Sequence, residues 1–129
     1  MQPILRGFAA LGTALVLAAC SGGGSSTTAP GATTAGPAPC ADSTAATTVQ
    51  ASVKDRTWTP ATVTAKVGDV ITWTNGDSVP HAVALDNGSC AMTGTIAGGA
   101  SKSLAFSVAG SYPFHCTVHP SMKGTITIS

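Results

Sequence analysis

From Val49 onward, apolar and polar residues alternate with a period of two over short runs. Val63, Ala65 and Val67 alternate with Thr62, Thr64 and Lys66, and Ile71 and Trp73 alternate with Val70, Thr72 and Thr74. Leu104, Phe106 and Val108 alternate with Ser103, Ala105 and Ser107, and Ile126 and Ile128 with Thr125 and Thr127. Successive side chains of a strand leave opposite faces of a sheet, so each run predicts a strand with one buried face. No run carries the 3.6-residue apolar spacing of a helix. Val67-Gly68-Asp69 and Asn75-Gly76 read as turns between strands. Short strands rich in Thr, Val and Ile at this spacing predict an all-β sandwich or barrel. Its core is small, and a staple or a metal would add to its stability.

The first residues read differently. Arg6, the apolar run Phe8 to Leu17 and the small pair Ala18-Ala19 form an export signal, with a signal helix over residues 1–19. A membrane-spanning helix needs about 20 apolar residues, more than this run offers. Leu17-Ala18-Ala19-Cys20 resembles the bacterial lipobox, which predicts lipidation of Cys20; the alternative is an ordinary secretory signal with a chance Cys. Several acyl chains on Cys20 would anchor the chain firmly to the outer face of the cytoplasmic membrane, where one chain binds only marginally. Ser21 to Pro39 contains no charge, no aromatic and no large aliphatic residue. Such a segment cannot offset its ordering entropy by burial. It reads as a disordered tether with a reach of roughly 25 Å. The resulting division is a signal over 1–19, the lipidated Cys and linker over 20–47, and the folded domain over 48–129.

Charge narrows the partners. The formal net charge is +1, and Arg6 lies in the leader. The rest balances Lys54, Arg56, Lys66, Lys102 and Lys123 against Asp42, Asp55, Asp69, Asp77 and Asp86. A nucleic-acid binder needs a basic patch, and none is present in the sequence. Strong electrostatic steering toward a partner is excluded by the same balance.

The chemistry lies in the tail. Cys116, His119 and Met122 follow one another at intervals of three in a loop between two strand-like runs. Thiolate, imidazole and thioether together suit copper, and two His, one Cys and a weak axial Met make a blue-copper electron-transfer site. Structural zinc takes four strong ligands, and a thioether is a poor fourth. Met122 has the alternative of filling the core. The second imidazole is His81, which shares parity with Val83 and Leu85 and so points inward. Tyr112, Phe114 and Cys116 also share parity, which sends His115 to the opposite, exposed face. Met92 reads as packing.

The stretch H-C-T-V-H-P-S-M-K-G resembles the copper loop of small cupredoxins of the amicyanin and plastocyanin type, and V-G-D-V-I-T-W-T-N-G-D-S-V-P-H resembles the first-His region of that family. The resemblance covers about Val49 to Ser129. It implies a Greek-key sandwich of about eight strands, and one copper ion cycling between Cu(I) and Cu(II). His81, Cys116, His119 and Met122 would be its ligands. It also implies a monomeric, non-enzymatic carrier of single electrons between redox proteins. An exported copper chaperone or storage protein is the alternative, although a protein that releases metal generally has an open, Met-rich site. A copper-oxidase domain would need further His clusters. The resemblance makes His119 the ligand whose ring edge reaches the surface, inside an apolar docking patch with Pro80, Val118 and Pro120. With Cys20 lipidated and Cys116 on copper, Cys40 and Cys90 are the remaining pair, and export permits a disulfide between them; two unpaired thiols are the alternative. Two positions depart from the family. Ala82 replaces an Asn whose side chain ties the ligand loops together, although its backbone N–H can still reach the thiolate. Val118 replaces a Pro and therefore keeps an N–H that could also point at the Cys116 sulfur.

Overall fold

In the computed structural model residues 36–129 are described, and every regular element among them is a strand. In chain order they are β1 (Cys40–Ser43), β2 (Val49–Lys54), β3 (Thr57–Thr59), β4 (Thr62–Ala65), β5 (Val70–Asn75), β6 (Val83–Leu85), β7 (Ser101–Phe106), β8 (Gly110–Cys116) and β9 (Lys123–Ile128). Five form one sheet in the order β1-β7-β5-β2-β3, and four form a second in the order β4-β9-β8-β6. This is the all-β architecture that the alternation predicts, and of the sandwich and barrel it allows, the two sheets make it a sandwich. The signal helix, Cys20 and the tether to residue 35 lie outside the described residues.

The inward faces of both sheets meet in one apolar cluster. Ile71 and Trp73 of β5, Leu104 and Phe106 of β7, Phe114 of β8 and Ile126 of β9 are all essentially inaccessible. Phe114 stands at the centre, its ring 5.4 Å from that of Trp58 and 6.2 Å from that of Trp73. Each such aromatic contact contributes about 0.5–1.5 kcal/mol beyond its buried area. Tyr112 packs on Phe106, and its hydroxyl donates to the Val108 carbonyl at 3.0 Å.

Three expectations need correction. The ordered domain starts before residue 48, because Cys40–Ser43 pairs antiparallel with β7. This short strand brings the total to nine. Composition hides it, since Cys-Ala-Asp-Ser has little β character of its own and is held by its partner strand. Cys40 and Cys90 are joined as a disulfide with Cα atoms 5.8 Å apart, which fixes the same edge.

Val67 and Val108 are exposed, at 50% and 41%, instead of buried. The chain turns before Val67: the Asp69 N–H donates to the Lys66 carbonyl, and the Lys66 N–H to the Asp69 carboxylate at 2.7 Å. Strand β7 has likewise ended before Val108 is reached. Finally, Val70 and Thr72 are buried although their parity points away from the core. Residues 47 and 48 cover that face, with the Thr48 N–H donating to the Val70 carbonyl and the Thr47, Thr72 and Ser103 hydroxyls in a chain of 2.7 Å contacts.

Candidate metal centre

The site is assembled from two segments that the second sheet brings together. Strands β6 and β8 pair with Val83 opposite Cys116, which sets His81 and Ala82 beside the end of β8. His81 is held by a two-way backbone bridge to Ile96. After Cys116 the chain loops tightly. The Met122 N–H donates to the His119 carbonyl at 2.9 Å, and the Cys116 N–H to the Met122 carbonyl at 3.0 Å. Residues 116–122 therefore close on themselves through backbone hydrogen bonds.

The donor atoms converge. One ligand atom from each of His81, Cys116 and His119 lies within 4.8 Å of the others. Cys116 Sγ is 3.7 Å from His81 Nδ1 and 4.0 Å from His119 Nδ1. Metal–N and metal–S bonds of roughly 2.0–2.3 Å, set 120° apart, would separate donors by about 3.5–4 Å, so the triangle has the size of a trigonal metal site. His81 and Cys116 are inaccessible, Met122 is buried at 6%, and His119 is half-buried. The rings of His81 and His119 lie 5.0 Å apart, and Trp58 packs edge-on against His81. The sulfur receives one backbone donor, the Ala82 N–H at 3.4 Å.

The Val118 N–H makes no hydrogen bond to the sulfur, unlike the expectation drawn from its lacking the family Pro. Val118 lies on the outer side of the loop, 41% exposed, and Pro80 and Pro120 are exposed as well. His115 is directed away from the cluster and sits 2.6 Å from Asp86 on the surface.

Two polar residues around the site escape a reading by periodicity. Asn75 is fully buried, and its Nδ2 donates to the Val79 and Ile96 carbonyls at 2.8 and 2.9 Å. It ties the segment before His81 to the strand-like partner of His81, in a chain whose Ala82 has no amide side chain to offer. Asp77 lies with Oδ2 3.0 Å from His81 Nε2. Its carboxyl is lowered to about 2, first by the Arg56 N–H, against the opposing effect of burial, and further by the Asp55 N–H and His81. The sequence carries one signal for it, an Asp four residues before a ligand His.

A profile described as Cupredoxin-like domain matches residues 12–128. The chain belongs to the cupredoxin-like family. It is 40% identical over 67 residues to amicyanin of Paracoccus denitrificans, covering 49% of this chain and 51% of that protein. It is 34% identical over 70 residues to amicyanin of Paracoccus versutus, covering 51% and 53%. The chain thus spans about half the length of the Paracoccus amicyanins it matches. It is also 33% identical over 81 residues to plastocyanin of Scenedesmus fuscus, covering 54% of this chain and 83% of that protein. A reduced mutant of amicyanin superposes with a TM-score of 0.62 at 25% identity, covering 70% of this chain and 99% of that one. A Cu(I) form of another amicyanin mutant gives 0.59 at 30% identity, covering 66% and 85%. Within this cupredoxin-like fold, His81, Cys116, His119 and Met122 form a His-Cys-His-Met site for one copper ion.

Proposed function

We propose that this protein carries single electrons between redox partners through a type 1 copper site. The observation that supports the reading most is the buried triangle of two imidazole nitrogens and one thiolate sulfur. Copper held there supplies reversible one-electron chemistry between Cu(II) and Cu(I). Cys116 contributes the thiolate, and the Ala82 N–H draws charge off its sulfur, which favours the reduced state. His81 and Cys116 keep the site dry. Half-buried His119 gives an electron its shortest route to the surface, through a patch with Pro80, Val118 and Pro120. A chaperone or store would release its metal, and full burial of two ligands works against release.

The proposed setting is the outer face of the cytoplasmic membrane, with lipidated Cys20 as the anchor and residues 21–39 as the tether. The visible and EPR spectra of the copper-loaded protein test the central claim. An intense thiolate-to-copper band, lost in Cys116→Ser with the β fold intact, is the expected result. A weak, pale-blue spectrum, or a band that survives Cys116→Ser, rules it out.

A further inference from the structure

A ligand imidazole is correctly poised only if its metal-facing nitrogen is bare and its ring cannot turn. His81 presents Nδ1 to the Cys116 sulfur, so the proton of the neutral ring belongs on Nε2. That nitrogen is 3.0 Å from Asp77 Oδ2, in a side chain that is itself only 9% exposed. Metal-ligating imidazoles generally donate their other N–H to such an acceptor, which fixes tautomer and orientation together.

The carboxylate is in turn held by a third element. Strands β2 and β3 are joined by Asp55 and Arg56 alone, both with positive φ, 50° and 57°. Two-residue hairpins with both central residues in this region are compact, and side-chain-bearing residues enter it sparingly. Here both amides of the turn aim at one acceptor. The Asp55 N–H donates to Asp77 Oδ1 at 2.6 Å and the Arg56 N–H to Oδ2 at 2.9 Å. The backbone of Asp77 is pinned as well, because its N–H donates to Asn75 Oδ1 at 2.8 Å. Gly98 backs the loop so closely that an added Cβ would lie 2.7 Å from the Asp77 carbonyl oxygen. The carboxylate is thus held by both amides of the turn, and its backbone by Asn75 and by the close approach of Gly98.

We propose that Asp77 is a positioning residue of the metal centre, holding His81 as the Nε2–H tautomer and linking it to the Asp55–Arg56 turn. The proposal rests on the copper reading given above. It has two consequences. The turn between β2 and β3, far from the ligands in sequence, becomes part of the support of the site. The fixed negative charge beside a ligand also favours Cu(II) over Cu(I), opposing the Ala82 N–H.

The first measurement needs no metal. Long-range 15N–1H correlation spectra of the apoprotein at pH 8 report which His81 nitrogen carries the proton. The expected result is Nε2–H, slow to exchange in the native chain and lost or mixed in Asp77→Ala. The second measurement is copper binding and redox titration of Asp77→Asn and Asp77→Ala. Copper affinity should fall roughly 10–100-fold in Asp77→Ala. In Asp77→Asn the Cu(I)/Cu(II) ratio at fixed potential should rise about three- to tenfold, tenfold being 59 mV for one electron.

A native Nδ1–H tautomer overturns the proposal, as does unchanged affinity and ratio in Asp77→Asn, which keeps the size of the side chain if Asp77→Ala fails to fold. An Nε2–H tautomer dependent on Asp77, in a protein that forms no blue copper site, leaves the positioning intact and removes the function proposed above.

Discussion

Cys116 combines an inaccessible side chain, a single N–H donor at its sulfur, and two imidazoles within 4.0 Å. Its loss therefore removes the centre, whereas loss of an outer ligand only weakens it. His81→Ala should weaken copper binding and open a coordination position, seen as an altered EPR spectrum. Met122→Leu should keep the blue colour and shift the potential, because the axial ligand is weak. Val118→Pro should leave the potential at pH 8 unchanged, since its N–H does not reach the sulfur; a marked drop in voltammetry would contradict this. Asp77 predicts an acid effect on the apoprotein. Its carboxyl falls from an ordinary 3.8 to about 2 in the fold, so its contribution is complete above the first value and is lost as pH falls through the second. Urea unfolding followed by circular dichroism should show a slope in this window that Asp77→Asn lacks. The slope that remains belongs to carboxyls such as Asp42, which Thr93 also holds low. At this scale the spacing of Cys116, His119 and Met122, and the parity of His81, were legible in the sequence. Asp77 was not, because its meaning depends on two amides some twenty residues earlier.

Among the elements, β8 and β9 bear most directly on the site. Phe114 opposes Gly124 across that pair, and an added Cβ at Gly124 would lie 2.5 Å from the Phe114 ring and 2.7 Å from the Ala61 carbonyl oxygen. The ring cannot yield, since it is packed against Trp58 and Trp73. Gly124→Ala should cost about 1–3 kcal/mol, the usual penalty of overpacking. Chemical denaturation of the apoprotein would check it, and a neutral effect would mean that β9 shifts freely. The alternation of β4, β7, β8 and β9 was readable because one face of each is apolar. Strand β5 misled, since its outward residues are covered by Thr47 and Thr48, whose own sequence shows no strand period. Strand ends were also misplaced at Val67, where the Asp69 N–H closes a turn on the Lys66 carbonyl, and at Val108, which lies beyond the end of β7 at Phe106.

For the whole molecule, the boundary between tether and domain was the least legible feature. Cys-Ala-Asp-Ser looks like linker and becomes a sheet edge only because β7 and Cys90 hold it. The bridge spans 50 residues of sequence, and removing a disulfide from a small exported domain typically costs about 2–5 kcal/mol. Cys40→Ser with Cys90→Ser should lower the melting temperature while the copper spectrum persists, as neither residue is among the ligands. The proposed anchor makes a separate prediction: cells given labelled fatty acid should label the native chain and not Cys20→Ser, and the variant should leave the membrane fraction. These two features meet at residue 40. Any pull exerted through the preceding chain enters the fold there, in shear across the β1–β7 ladder and through a covalent link to the 86–91 loop. Tension of that kind is spread along a sheet edge and a sulfur–sulfur bond before it can reach residues 116–122. The disulfide end of that path lies next to the site, since the Cys90 carbonyl accepts from the Leu85 N–H and the Met92 N–H donates to the Val83 carbonyl, and Val83 stands opposite Cys116.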